Sequence, residues 1–167
     1  MKAPICNVCL KSDVLCSQCS EKLEEDKITE LDIQVSRKLK ELSNNHGSLR
    51  DSTIEGTYEA KNVVVIITGS GDGAKVVGRS GEIVKKVADE VGKPIRVVEN
   101  SESDRDVING LLSPGEIQSI NTVFKPEGQS KKIVVDEKFE DKINMNQKEL
   151  EEAVQQITGT DYELAFE

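Results

Sequence analysis

The same order of elements, with the same apolar register, is written twice along this chain, and that duplication limits the fold more than any other feature. Val84, Val87, Ala88 and Val91 stand at i, i+3, i+4 and i+7, the spacing of a helix buried along one face. Leu150, Ala153, Val154 and Ile157 repeat the spacing 66 residues on, counting from Val84 to Leu150. Ahead of the first helix, residues 63–68 form a β-branched run that suits a fully buried strand. The first half reads as a helix Glu30–Leu42, a weak strand 53–58, the strand 63–68, a short helix 72–77, a glycine loop, the apolar helix, and a strand 95–98 after Gly92 and Pro94. Thr29-Glu30-Leu31-Asp32 supplies a capping box for the opening helix, whose Leu31, Val35, Leu39 and Leu42 fall at helical spacing. The second half reads as a helix Asp104–Leu112 stopped by Ser113-Pro114-Gly115, strands 117–124 and 131–135, a short helix 137–142, a longer one 147–157, and a strand Tyr162–Phe166. The expected class is α+β, with two small units of order α-β-β-α-α-β over residues 28–99 and 100–167.

All four cysteines lie ahead of this repeat, as Cys6-x2-Cys9-x6-Cys16-x2-Cys19. Two C-x-x-C pairs present four thiolates to a tetrahedral ion. In a reducing compartment disulfides are disfavoured, which makes one structural zinc ion per chain the main reading, with iron or a redox role as alternatives. No fifth ligand stands nearby, so the site is expected to be closed and structural. Residues 1–27 are accordingly expected to form a small knuckle with a charged connector.

Composition narrows the function. Aromatic residues are 3% of the chain and tryptophan is absent, against modules that stack bases on exposed rings, such as RRM sheets and OB barrels. A net charge of −9 argues against coating nucleic acid by charge alone. The distribution is uneven: residues 61–98 carry 7 basic side chains (Lys61, Lys75, Arg79, Lys85, Lys86, Lys93, Arg96) against 4 acidic, and every other segment is net acidic. A phosphate partner is therefore sought in this segment first. No apolar run approaches the roughly 18–20 residues needed to span a bilayer, and the N-terminus has no signal-peptide core, so a cytoplasmic protein without membrane partners is expected.

Catalysis has little support. Gly69-x-Gly71-x-Gly73 lacks the third glycine of a dinucleotide fold at the right interval, and no phosphate-loop lysine triplet exists. His46 is the only histidine and sits in a polar turn, so no serine has a base partner evident in sequence. Glu24-Glu25 and Glu151-Glu152 read as solvated helix faces. Neither an enzyme nor a small-molecule substrate is expected.

Within the basic segment, Val77-Gly78-Arg79-Ser80-Gly81-Glu82-Ile83-Val84 resembles the [IV]-G-x-x-G-x-x-[IV] core of KH domains. The leading α-β resembles the type II, prokaryotic form, and two such units in tandem resemble the KH pair of the NusA transcription factors. With a zinc knuckle ahead, the whole is similar to the short archaeal NusA-like proteins. The resemblance implies that Gly78, Arg79, Ser80 and Gly81 clamp the backbone of about four unpaired nucleotides, with Lys75, Lys85 and Lys86 supplementing the field. The glycines admit close approach of helix amides to phosphate. At a shift of 66, Asn144-Met145-Asn146-Gln147 takes the loop's place in the second half, with no glycine and no charge. That loop is expected to be structural or protein-binding.

The resemblance thus implies a single-stranded RNA-binding factor in transcription elongation or termination, with RNA polymerase as its assembly. A ribosome-associated or ribosome-assembly RNA-binding protein is the first rival, and a zinc-stabilised protein–protein adaptor the second.

Overall fold

Residues Val64–Thr68 are buried at every position, and the first sheet is built around them. In the computed structural model, which describes all 167 residues, this strand (β2) pairs antiparallel with β1 (Ile54–Glu59) and parallel with β3 (Ile95–Glu99). A strand buried at every position needs helices packed around it. Those are α3 (Glu30–Leu42), α4 (Gly73–Val77) and α5 (Glu82–Val91), which follow two short helices of the cysteine segment, α1 (Asn7–Leu10) and α2 (Ser17–Glu24). Val35, Leu39, Leu42, Leu49, Ile54, Ile66, Val76, Ile83 and Val87 form the core between them. The capping box of α3 is present, and its Asp32 has a second task. The buried carboxylate accepts from the Thr29 amide at 2.9 Å and from the Thr57 amide and hydroxyl at 2.8 and 2.7 Å, fastening α3 to β1. A buried charge held by three donors is a satisfied one.

The second sheet repeats the plan. β4 (Ile117–Lys125) pairs antiparallel with β5 (Gly128–Val135), and β5 pairs parallel with β6 (Tyr162–Phe166). A register irregularity after the first residue of β1, at Ile54/Gly56, recurs at Ile117/Ser119 in β4. α6 (Asp104–Leu112), α7 (Glu140–Ile143) and α8 (Gln147–Thr158) are its helices, and a 3-10 turn Glu137–Phe139 precedes α7 where a continuous short helix is expected from sequence.

The helix register differs from the sequence reading by one residue. Val84 and Ala88 are half-buried, and the residues facing the core are Ile83 and Val87, matched by Leu150 and Val154. The offset is thus 67, and the strands agree: Val64 pairs with Ile95 as Lys131 pairs with Tyr162. Ile83 is drawn inward because it packs on Gly78, where an added Cβ would stand 2.6 Å from its Cγ1.

The chain divides into two compact units, Met1–Glu59 with Val64–Glu99, and Ala60–Val63 with Asn100–Glu167. The cysteine segment belongs to the first. Ile5, Cys9, Leu10 and Cys19 share a buried cluster with Ile28 and with Ile33 of α3. The Arg37 guanidinium of α3 donates to the Cys9 and Val14 carbonyls at 3.1 and 3.4 Å. Lys2 bridges to Thr53 beside β1, with its amide donating to the Ser52 carbonyl at 3.0 Å. No helix is long and apolar enough to cross a membrane.

Candidate functional site

Two arrangements stand out in the first unit, and the first is the cysteine cluster. Cys6 is the N-cap of α1 and Cys16 the N-cap of α2, so each C-x-x-C pair opens a helical turn. The pairs then exchange hydrogen bonds: the Cys6 amide donates to the Cys19 sulfur at 3.4 Å and the Cys16 amide to the Cys9 sulfur at 3.1 Å. All four sulfurs lie within 4.8 Å of one another, with Cys6 and Cys16 at 3.9 Å. A tetrahedron with metal–sulfur bonds of about 2.3 Å has edges of about 3.8 Å, so the donor set fits a metal ion.

The thiols titrate apart. Cys6 is lowered to about 6, chiefly by the Cys9 amide, and Cys16 is lowered first by the Cys19 amide. Cys9 receives the Cys16 amide, yet burial and the three neighbouring sulfurs push it up to about 12. Four thiolates this close repel one another, and a cation among them removes the conflict.

The second arrangement is the turn between α4 and α5. Gly78 (φ 78°, ψ 173°), Ser80 (φ 55°, ψ 27°) and Gly81 (φ 72°, ψ 18°) all have positive φ. Gly78 is fixed twice over, by its φ and by its contact with Ile83, whereas at Gly81 only the backbone angle requires glycine. Ser80 is the strained member, since non-glycine residues rarely occupy this region. Arg79 and Ser80 are exposed, and together with Glu82, Lys85 and Lys86 they line an open depression at the start of α5. Its acidic member, Glu82, is 3.7 Å from Lys86.

No side chain caps α5: its N-cap is Gly81. The first amides of a helix have no intrahelical partner and lie at the positive end of its dipole. Here the Gly81 and Glu82 amides are taken by the Gly78 and Arg79 carbonyls of the preceding 3-10 turn, and the next amides of α5 start beside a depression lined by Arg79, Lys85 and Lys86, an arrangement that suits an anion.

Arg79, Ser80, Lys85 and Lys86 thus share one depression, and Gly78 and Gly81 shape the turn beside it. Lys75 is not among the lining residues. Its ammonium is held at 2.9 Å by Asp72 and at 3.4 Å by the Asp51 carbonyl, and Asp72, its carboxyl lowered chiefly by Lys75, also accepts from the Thr53 amide.

The corresponding turn of the second unit is closed by its own side chains. Asn144 keeps a left-handed conformation (φ 64°), but Met145 is buried. Asn146 accepts from the Glu149 amide at 2.9 Å while Glu149 accepts from the Asn146 amide at 3.1 Å, a full capping box on α8. This cap is absent from the sequence reading, although Asn146-x-x-Glu149 carries its signature.

No family model matches the chain, and no curated protein does. Among solved structures, the crystal structure of APE1850, an archaeal protein, is similar to it, at 20% identity over 78% of this chain and 96% of that one, with a TM-score of 0.57. The shared property is the fold. A match of that length takes in residues of both units, since neither alone makes up that share of the chain.

Proposed function

We propose that the chain is a non-enzymatic, cytoplasmic, single-stranded-RNA-binding protein with two type II KH units, a NusA-like factor of transcription elongation or termination, carrying a structural zinc ion on Cys6, Cys9, Cys16 and Cys19. The observation that carries the reading is the difference between the two copies of one helix start. α8 is shut by its own capping box, and α5 is left open beside Arg79, Lys85 and Lys86.

In this reading a phosphate sits at the amides of α5, where Gly81 presents no side chain to obstruct it. Arg79 and Lys85 follow the neighbouring phosphates, and Ser80 donates a hydrogen bond. The half-buried Val84 and Ala88 offer an apolar flank on which bases rest once the backbone is held. A bent, unpaired strand fits a tight turn of this kind better than a rigid duplex does. Zinc would offset half the charge of the four thiolates and hold the cysteine segment in shape.

Direct binding measurements test the proposal. Arg79→Asp with Ser80→Asp places two negative charges at the clamp without altering either glycine, so stability should change by only about 0.5 kcal/mol. Loss of a charge-assisted contact is worth roughly 1.5–3 kcal/mol, so affinity for a single-stranded RNA should fall at least about tenfold. The unaltered protein should prefer single-stranded to duplex RNA, with a shallow salt dependence, because few cations reach the backbone. A folded double variant binding RNA as tightly as the parent would overturn the clamp and leave the adaptor as the function. Copurification of the native protein with RNA polymerase or with ribosomes then separates the two RNA-binding readings.

A further inference from the structure

The two units differ in how well each hairpin is covered. In the first, Thr57 of β1 is buried beneath α3 and donates to Asp32. In the second, β4 and β5 have 9 and 8 residues where β1 and β2 have 6 and 5, but α6 has 9 residues where α3 has 13. A helix advances 1.5 Å per residue and a strand about 3.3 Å, so this hairpin outruns its helix. The strand register places Ile120 opposite Ile133, Thr122 opposite Lys131 and Phe124 opposite Gln129, all on one face. Ile133 is fully buried, while Ile120 is 38% and Phe124 76% exposed.

β4 is also an edge. The order β4-β5-β6 leaves one side of its backbone without a strand partner. From Gln118 to Phe124 it contains no charge and no proline, the devices that ordinarily keep edge strands apart. Short uncharged runs of high β-propensity pair readily with other strands. The irregularity at Ile117/Ser119 confines the regular part to residues 119–125.

We infer that β4 pairs antiparallel with β4 of a second copy of this chain, joining two three-stranded sheets into one of six strands. The strand is complementary to itself. With Thr122 opposite the second copy's Thr122, symmetry sets Ile120 opposite Phe124 twice, Asn121 opposite Val123, and Ser119 opposite Lys125. Aromatic–β-branched and Thr–Thr pairs are among the favourable cross-strand combinations. Charge selects the direction. Lys125 ends the strand, so parallel pairing would set the two lysines side by side, whereas antiparallel pairing sets each opposite the uncharged Ser119. On the opposite face the charges are already matched within the chain, Lys125 with Glu163 and Lys132 with Glu167. None of this uses the α5 turn, so the pairing stands or falls apart from RNA binding.

Sedimentation equilibrium of the full metal-loaded chain over a wide concentration range tests the pairing. A monomer–dimer equilibrium is expected. Ile120→Lys with Phe124→Lys puts like charges opposite each other and should leave only monomer, with circular dichroism and melting showing that the fold is kept. Single cysteines resolve the register: after mild oxidation Thr122→Cys should give a disulfide-linked dimer, and Asn121→Cys and Val123→Cys should give little, because 121 opposes 123. The parent protein treated alike serves as the control for the native cysteines. A monomer throughout, a dimer indifferent to the double lysine variant, or equal cross-linking at all three positions would overturn the inference. So would an extended segment of another protein occupying the edge.

Discussion

Gly78 and Gly81 look equivalent in the motif, yet the structure assigns them different burdens. At Gly78 an added methyl meets the Ile83 side chain at 2.6 Å as well as a backbone at φ 78°. Gly78→Ala should therefore combine overpacking with strain and cost about 2–4 kcal/mol. Gly81→Ala meets only Val84 at 3.7 Å, so conformational strain alone is expected, about 1–2 kcal/mol. Denaturant melts of the two variants give the comparison, and equal losses would refute it. In the other unit, Tyr162 donates to Asp104 at 2.7 Å. Burial, then this partnership, pushes the phenol up from 10 to about 12. A raised native value means that the folded state holds the proton more tightly than the unfolded chain. The contribution is complete below pH 10 and lost as pH rises through about 12. Tyr162→Phe should flatten that alkaline loss, and should cost about 1 kcal/mol at neutral pH because Asp104 loses its donor. Stability followed across this range in parent and variant decides it.

Between elements, the contrast of α5 with α8 makes a sharp comparison. Asn144→Asp keeps a residue that tolerates the left-handed turn, and Asn146→Asp keeps a good N-cap. RNA affinity of this double variant should stay within about twofold of the parent, since repulsion is screened beyond about 8 Å and Asn146 is occupied with Glu149. A tenfold loss in a titration would place RNA at the second turn. The element order, both central strands and the boundaries of α3 and α6 were legible in the sequence, because caps, proline stops and β-branched runs act locally. The inward rotation of α5 was not, since it depends on a glycine five residues earlier against which Ile83 packs. The fate of Lys75 was equally hidden: Asp72 and the Asp51 carbonyl capture it through the tertiary fold.

For the molecule as a whole, the metal is expected to matter beyond the cysteines. Cys9 and Cys19 pack with Ile28 and with Ile33 of α3, and Arg37 reaches back to the Cys9 carbonyl. Chelation should therefore loosen α3 together with the cysteine segment and leave the second unit in place. Hydrogen exchange followed by residue checks this, and uniform loosening of both units would contradict it. Metal binding should also release protons at neutral pH. Cys6, near 6, is already largely thiolate there, whereas Cys9, near 12, must give up its proton. Affinity should accordingly weaken on acidification, measurable by competition with a chelator of known pH response.

The open and closed helix starts give the chain a reference signal for its own solution behaviour. Among the amides in the first turn of α8, that of Glu149 is engaged by Asn146, so its exchange with solvent deuterium reports the opening of that turn. Beyond Glu82, whose amide donates to the Arg79 carbonyl, those of the first turn of α5 have no side-chain cap and should exchange quickly until a ligand arrives. The ratio of the two rates, taken in one sample at one temperature, removes the shared dependence of exchange chemistry on pH and becomes a gauge of occupancy at Gly81, with no label attached to either partner.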